Sequence, residues 1–197
     1  MAGRAPRPLQ RLDPGRGGPR GRFAVIAARF NEPIVKRLVS GALRAFTSAG
    51  VAVDRVDVHW VPGSFELPQA AQHLARGRRY AAIVCVGCVI KGATPHFDFV
   101  AGQAAAGIQR VALDTGVPAT FGVITALTDE QALERSGGEV GNRGEEAAHA
   151  ALEMAAFVQR PPGSVLAGSS ERRRRAATRS EPDRRGAGAL RRRRDGK

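Results

Sequence analysis

The clearest indication of the fold is the segment Tyr80-Ala-Ala-Ile-Val-Cys-Val-Gly87, followed directly by Cys88-Val-Ile-Lys-Gly-Ala-Thr-Pro-His96-Phe-Asp98. Its first part is apolar without alternation, which is typical of a strand buried on both faces of a parallel sheet. A loop containing Gly and Thr follows, and a helix is predicted from about Phe97 to Thr115. The stretch therefore predicts one strand–loop–helix unit of an α/β protein.

The same alternation continues in both directions along the chain. Further strands are predicted at 23–28, 51–61 and 118–125, which are short apolar runs. Helices are predicted between and after them, as from Ile34 to Phe46, where apolar residues recur at helical spacing. This pattern predicts a four-stranded parallel sheet with helices on both faces. Ligands of such sheets bind beyond the carboxyl ends of the strands, so the loops there are candidate sites.

The net charge of +13 comes from the two ends of the chain. Residues 23–158 carry 12 basic and 13 acidic side chains, a net charge of −1, whereas residues 1–22 carry +5 and residues 159–197 carry +9. We therefore expect a flexible, basic, Pro/Gly-rich N-terminal extension, a globular domain at 23–158, and an Arg-rich tail that is disordered for want of large apolar side chains. Arg without aromatic residues gives only nonspecific, salt-sensitive attraction, so no specific nucleic-acid partner is expected.

Composition also excludes several classes of protein. No apolar run approaches the roughly 20 residues that a membrane helix needs, so no membrane partner is expected. Residues 1–22 lack the apolar core of a signal peptide. Two cysteines three positions apart cannot crosslink a secreted fold. These observations predict a cytoplasmic protein.

The loop after Gly87 is the richest in chemically useful residues. Backbone N–H groups at a helix start bind phosphate readily. The spacing of Gly87 and Gly92 imitates a P-loop, but Ala93-Thr94 stands where that motif has Lys followed by Ser or Thr, which leaves a generic phosphate loop. His96 in this loop suits a general acid or base, and a structural or surface histidine is the alternative.

Other candidates have plain structural alternatives. Glu66 can accept two hydroxyl hydrogen bonds from a polyol while Phe65 stacks on a planar ring, or the segment simply begins a helix. Cys85 and Cys88 form a C-x-x-C pair inside and at the end of a strand, which favours buried thiols over a redox or zinc site. The charged residues around the late Gly-rich break at 137–144 are equally typical of a solvated helix surface.

Taken together, the motifs are more specific than any one of them. They occur in this order: Arg29-Phe30-Asn31, Pro62-Gly-Ser-Phe-Glu-Leu-Pro68, Gly87-Cys-Val-Ile-Lys-Gly-Ala-Thr-Pro-His-Phe-Asp98, Phe121-Gly-Val-Ile-Thr125 and Gly141-Asn-Arg-Gly-Glu-Glu-Ala-Ala148. Over residues 22–158 the chain resembles the 6,7-dimethyl-8-ribityllumazine synthase family of riboflavin biosynthesis. The resemblance implies a three-layer, flavodoxin-like α/β sandwich.

The resemblance also implies a transferase that needs no metal or redox cofactor. Its reaction joins 5-amino-6-(D-ribitylamino)uracil to 3,4-dihydroxy-2-butanone 4-phosphate, giving 6,7-dimethyl-8-ribityllumazine, phosphate and water in the penultimate step of the pathway. The alternative is a non-catalytic shell protein of the same fold that binds flavin or lumazine.

Each matched position carries an implied role. Phe30 would stack on the pyrimidine-derived ring, Glu66 would bind ribityl hydroxyls, and His96 would move protons. The remaining implied contacts are Ser64 and Phe65 to the same substrate, Cys88, Val89 and Ile90 to the ring edge, Ala93 and Thr94 to the phosphate, and Phe121 and Arg135 from a neighbouring subunit, with Arg135 on the phosphate. Accessory candidates are Asn31, Lys91, Arg143 and Glu146.

The resemblance implies homo-oligomers, either pentamers or 60-subunit icosahedral shells, and association with riboflavin synthase. The absence of an insertion at 136–144 favours the shell, whereas Pro14 and Pro19 oppose an ordered N-terminal strand. The chain also departs from the commoner pattern, because Lys91 stands where Arg is usual and Arg143 where Lys is usual. Both replacements keep the charge but change the hydrogen-bonding geometry, since only Arg can bind in a bidentate way.

Overall fold

The computed structural model describes residues 20–160, which form one parallel sheet covered by helices. The strands are β1 (Arg22–Ala28), β2 (Val56–Val61), β3 (Tyr80–Ile90) and β4 (Ala119–Ala126). Their order in the sheet is β2-β1-β3-β4, and every neighbouring pair is parallel. The predicted four-stranded parallel sheet is therefore confirmed.

Five α-helices of the described residues complete the layers. They are α1 (Glu32–Ser48), α2 (Leu67–Arg76), α3 (His96–Thr115), α4 (Asp129–Glu134) and α5 (Arg143–Val158). One apolar core joins α1 and α5 to the sheet, and a second core joins α2 and α3 to its other face. The three-layer flavodoxin-like arrangement predicted from the sequence is confirmed.

The inner strand β1 explains why its sequence shows no alternation. Phe23 and Val25 face the α1/α5 core, whereas Ala24 and Ile26 face the α2/α3 core, and all four are fully buried. The ring of Phe23 packs against that of Phe46 from α1, with centroids 4.8 Å apart. A strand covered on both faces needs apolar residues at every position, and this one has them.

Close backbone contact brings α1 against α5. A methyl group added to Gly144 would collide with the carbonyl of Leu38, and one added to Gly41 would collide with the side chain of Asn142. The Asn142 amide donates to Arg37 O at 3.0 Å, and its oxygen accepts from Gly144 N at 2.9 Å. Asn142 thus caps α5 and fastens it to α1.

A polar cluster links three strands at the amino end of the sheet. Arg22 Nε donates to Asp57 at 3.1 Å, and the Tyr80 hydroxyl donates to the same carboxylate at 2.9 Å. His59 Nε2 lies 3.3 Å from the Tyr80 hydroxyl. The hydrogen bonds from Arg22 and Tyr80 lower the pKa of Asp57 to about 2, with the Arg22 bond the largest cause.

Several boundaries differ from the sequence prediction. β2 begins at Val56, because residues 53–55 form a 3-10 turn instead of a strand. β3 continues to Ile90, since β4 pairs with it to that residue. α3 begins at His96, so this histidine is helical instead of lying in the loop. The Gly-rich break contains a small antiparallel hairpin of β5 (Ser136–Gly138) and β6 (Gly141–Asn142), which was not predicted.

The predicted N-terminal extension and C-terminal tail lie almost wholly outside the described residues, and their division from the domain stays a proposal. Within residues 20–160, no helix is long and apolar enough to cross a membrane.

Candidate active site

A crevice opens between β1 and β3 where the chain leaves β1. Pairing of β1 with β3 ends at Ala27, while β3 continues beside β4 to Ile90. The chain turns toward β2 instead, and Phe30 N donates to Pro62 O at 3.1 Å. Because the strand order reverses between β1 and β3, this is the switch point at which sheets of this kind bind ligands.

A cavity of about 640 Å³ occupies this crevice. Segments after β1 and β2, the end of β3 and the start of α3 all contribute to it. Its lining residues are Phe30, Pro62, Gly63, Ser64, Phe65, Glu66, Cys88, Val89, Ile90, Gly92, Thr94, His96, Phe97, Phe99 and Val100. Stretches that are far apart in sequence thus meet at one site, because parallel strands bring their carboxyl ends together.

The segment after β1 presents an aromatic ring to the cavity. The side chain of Phe30 is 70% exposed, which is unusual for a large apolar residue. The next residue, Asn31, has a left-handed backbone (φ 59°, ψ 39°) and donates its side-chain amide to Cys88 O at 3.0 Å. Pro33 follows in the first turn of α1.

The segment after β2 is a 3-10 turn that leads into α2. Ser64 is buried against β3, where a methyl group on Gly87 would lie 2.5 Å from the serine oxygen. Gly87 therefore makes room for Ser64. Glu66 is half-buried beside the cavity, just before the first residue of α2, where the helix dipole favours a negative charge.

The end of β3 offers backbone groups to the crevice. Lys91 N donates to Ala126 O of β4 at 2.9 Å, whereas Cys88 O accepts from Asn31 on the opposite side. Backbone groups of successive residues point to alternate sides of a strand, so those of Ile90 point toward the crevice, as those of Cys88 do. No β1 residue pairs with β3 at this level.

The first turn of α3 forms the far wall. His96, Phe99 and Val100 are spaced three and four positions apart, so they share one helix face, and all three line the cavity. Phe99 is 68% exposed. Phe97, Phe99 and Val100 were not predicted as site residues, because the sequence pattern places His96 in the loop before the helix and so gives no helical spacing from it to Phe99 and Val100.

Some predicted residues are absent from the cavity lining of their own chain. Phe121 pairs with Cys85, four residues before Val89, which is roughly 13 Å away along a strand. Arg135 directly follows α4 and donates to Gln131 O at 3.0 Å. The other predicted residues missing from the lining are Asn31, Lys91, Ala93, Arg143 and Glu146.

The accessory pair Arg143 and Glu146 forms a salt bridge at the start of α5. Arg143 N also donates to Arg135 O at 2.9 Å, which brings the two arginines into one region near the carboxyl end of β4. This region therefore holds two of the predicted cationic residues, and the cavity lining holds neither.

Both cysteines are buried thiols. Burial raises the pKa of Cys85 to about 12, and burial together with the charge of Asp129 raises the pKa of Cys88 to about 12. Each thiol is protonated at neutral pH and so is a poor nucleophile. The cavity is consequently not built around an activated cysteine.

Among residues 20–160, the cavity lining carries a negative charge but no Lys or Arg, which does not suit a phosphorylated ligand. Glu66 contributes a carboxylate, and among the lining residues of the described chain none is Lys or Arg. Phosphate groups are usually met by cationic side chains as well as by backbone N–H donors. A cation from outside this lining is therefore needed if the ligand carries phosphate.

A parallel sheet of order β2-β1-β3-β4, with a ligand cavity at its switch point, defines a doubly wound α/β protein of the flavodoxin-like type. The cavity adds aromatic rings, one carboxylate and one histidine to that scaffold. The model of the 6,7-dimethyl-8-ribityllumazine synthase family matches residues 20–159, and the chain belongs to this family. The family comprises transferase-type enzymes that make lumazine in riboflavin biosynthesis.

Proposed function

We propose that the protein condenses 5-amino-6-(D-ribitylamino)uracil with 3,4-dihydroxy-2-butanone 4-phosphate to give 6,7-dimethyl-8-ribityllumazine, phosphate and water. One observation carries the proposal: a single cavity brings Phe30, Glu66 and His96 together at the switch point. These residues suit a planar ring, a polyol chain and proton transfer, respectively. Both substrates can be held at once in a cavity of about 640 Å³.

The pyrimidine binds between Phe30 and the end of β3. The exposed phenyl ring offers a stacking surface, and stacked aromatic rings gain about 0.5–1.5 kcal/mol beyond their area burial. The backbone groups of Ile90 that point toward the crevice pair with the polar ring edge. The ribityl chain extends toward Glu66, whose carboxylate accepts hydrogen bonds from its hydroxyls.

The phosphate binds near Thr94, close to the start of α3. Backbone N–H groups at a helix N-terminus favour an anion. The cation that this end of the cavity needs is Arg135 of a neighbouring subunit, and Phe121 of that subunit covers the ring. The positions of both residues away from their own cavity support a shared site, because neither residue lines the cavity of its own chain.

The chemistry needs proton transfer and orientation more than a strong nucleophile. The substrate amine attacks the ketone, phosphate leaves, and the second ring closes. His96 at the cavity wall exchanges protons with the reacting atoms, a contribution of about 10²- to 10⁴-fold. Arg135 and the N–H donors stabilise the leaving phosphate. Holding two substrates in reactive contact supplies much of the remaining acceleration.

Purified protein supplied with both substrates tests the proposal. A fluorescent product with the absorption of a lumazine, and release of one phosphate per product, are expected. Folded, assembled protein that releases no phosphate would reject the proposed activity. Tight riboflavin or lumazine binding without turnover would instead support the non-catalytic shell protein.

A further inference from the structure

We propose that Asn31 is a positioning residue, which holds Phe30 at a set distance from the end of β3 and so fixes the slot for the pyrimidine ring. The inference rests on the proposed function for its substrate. It concerns a residue that does not itself line the cavity.

The backbone of Asn31 is unusual. Its φ of 59° lies in the left-handed region, and among residues 20–160 the other non-glycine residue there is Arg78. Residues other than glycine usually avoid this region, and among them Asn and Asp tolerate it best. The residue therefore combines a conformation that few side chains accept with a side chain that can donate a hydrogen bond.

The side chain of Asn31 does not cap the helix that it precedes. Asn31 stands at the N-cap of α1, where an asparagine oxygen usually accepts from the first helical N–H groups. Here it makes no such cap, and its amide donates to Cys88 O at 3.0 Å instead. The helix start is satisfied by the Asn31 carbonyl, which accepts from Ile34 N at 3.0 Å and Val35 N at 3.1 Å.

Phe30 depends on these backbone anchors for its position. Phe30 as a residue is 70% exposed, so side-chain packing does little to hold its ring. On one side Phe30 N donates to Pro62 O at the end of β2, and on the other side Asn31 ties the segment to Cys88 of β3. The Asn31–Cys88 bond crosses the crevice where β1 and β3 no longer pair, and the Phe30–Pro62 bond ties the same segment to the β2 side.

The Asn31–Cys88 bond also determines which backbone groups of β3 are left to bind a ligand. The Cys88 carbonyl already accepts from Asn31, whereas the backbone groups of Ile90 point toward the crevice without a β1 partner. The slot therefore lies between the Phe30 ring and the level of Ile90. Loss of the Asn31 amide would let the Phe30 segment move away from β3 and widen that slot.

Two variants distinguish the contribution of the Asn31 side-chain amide from that of its left-handed backbone. Asn31→Gly keeps the left-handed conformation without strain but removes the donor. Asn31→Asp keeps the size and the conformation but turns a second acceptor toward Cys88 O. The matched control is Arg78→Gly, a glycine at the other left-handed position, which follows α2 and is distant in sequence from the site loops.

The measurements are KM for each substrate, kcat, and the Kd of the lumazine product by fluorescence titration without turnover. We expect Asn31→Gly to raise KM for the pyrimidine and Kd for the product about tenfold, as loss of one hydrogen bond allows. Asn31→Asp should raise both further. KM for the butanone phosphate, the thermal midpoint and the assembly size should stay as in the wild type, and Arg78→Gly should match the wild type throughout.

The outcomes distinguish the two proposals. Wild-type protein that binds lumazine without turnover would reject the proposed reaction, while the product Kd of the variants still tests Asn31. Wild-type values for Asn31→Gly would overturn the positioning role. So would equal losses for both substrates, a lowered thermal midpoint, or the same change in Arg78→Gly, because each would indicate a general structural effect.

Discussion

His96 begins α3 and shares a helix face with Phe99 and Val100, so its position in the cavity is set by the helix instead of by a loose loop. His96 is exposed at the cavity wall. This arrangement leaves the side chain able to reach both substrates and water during proton exchange.

If His96 transfers protons, His96→Ala should lower kcat about 100-fold. The Kd of the lumazine product should change by no more than a few-fold, because binding depends chiefly on Phe30, Glu66 and β3. The measurement is steady-state kinetics together with fluorescence titration. His73→Ala, on the exposed face of α2, is the matched control and should be fully active. Equal turnover in both variants would exclude His96 as the proton carrier.

At this scale the sequence predicted residue types better than their geometry. Glu66 and His96 are predicted from their chemistry and Phe30 from the family resemblance, and all three line the cavity. Asn31 was named without a role, because neither its left-handed backbone nor its bond to Cys88 can be inferred from composition or spacing. Such details depend on where β1 leaves β3, which is a property of the folded chain.

The helices α1 and α5 meet where Gly41 and Gly144 have no side chain. Gly144→Ala should destabilise the protein by about 3 kcal/mol, since its methyl group would collide with the backbone carbonyl of Leu38, which cannot rotate away. Chemical denaturation measures the change. Gly102→Ala on the exposed side of α3 is the control, with open space around the new methyl and an expected gain of up to about 1 kcal/mol. Similar stability in the two variants would contradict close helix packing.

The cluster that joins β1, β2 and β3 predicts an acid-sensitive component of stability. The folded pKa of Asp57 is about 2, below its ordinary value of 3.8, so ionised Asp57 favours the folded state above pH ~4. That contribution should be lost as the pH falls from about 4 to 2. The difference in unfolding free energy between wild type and Asp57→Asn should shrink over this window. A difference that is constant from pH 6 to 2 would rule out this linkage.

At the scale of elements, periodicity predicted the four main strands and the helices between them. It failed where local backbone geometry competes with propensity. Residues 53–55 belong to a run at 51–61 that is rich in Val and was predicted as one strand, yet they form a 3-10 turn before β2. The hairpin at Ser136–Asn142 is Gly-rich, and its pairing is held by Asn142, whose amide also donates to Ser136 O at 2.9 Å. No local sequence pattern predicts this hydrogen bond between Asn142 and Ser136.

For the whole molecule, a site shared between subunits makes a distinctive prediction. His96→Ala and Arg135→Ala homo-oligomers should each be nearly inactive. Hybrids formed by co-expression or joint refolding should regain activity, because about a quarter of sites in a random equal mixture pair an intact His96 with an intact Arg135 of the neighbour. The recovered activity is measured by phosphate release. The control is a mixture of the two homo-oligomers that have not exchanged subunits. No recovery in verified hybrids would place both residues in one subunit.

Exposed apolar side chains agree with such an assembly. Phe30, Phe65 and Phe99 are exposed around the cavity. Phe121 is exposed on β4, Leu127 directly after it, and Leu133 on α4. Apolar groups concentrated in this way are typical of surfaces that another protein covers. Association of the chain into pentamers or a shell stays a proposal, and light scattering of the purified protein distinguishes the two sizes.

The buried, unreactive thiols have a practical consequence for labelling experiments on this protein. The chain contains two cysteines, and both are at most 1% exposed with a pKa of about 12. The native sequence can therefore serve directly as the unlabelled background for maleimide chemistry. A single cysteine introduced on the outer surface would carry a fluorophore or spin label at one known point per subunit. Distances between copies could then be measured without first removing the natural sulfur atoms.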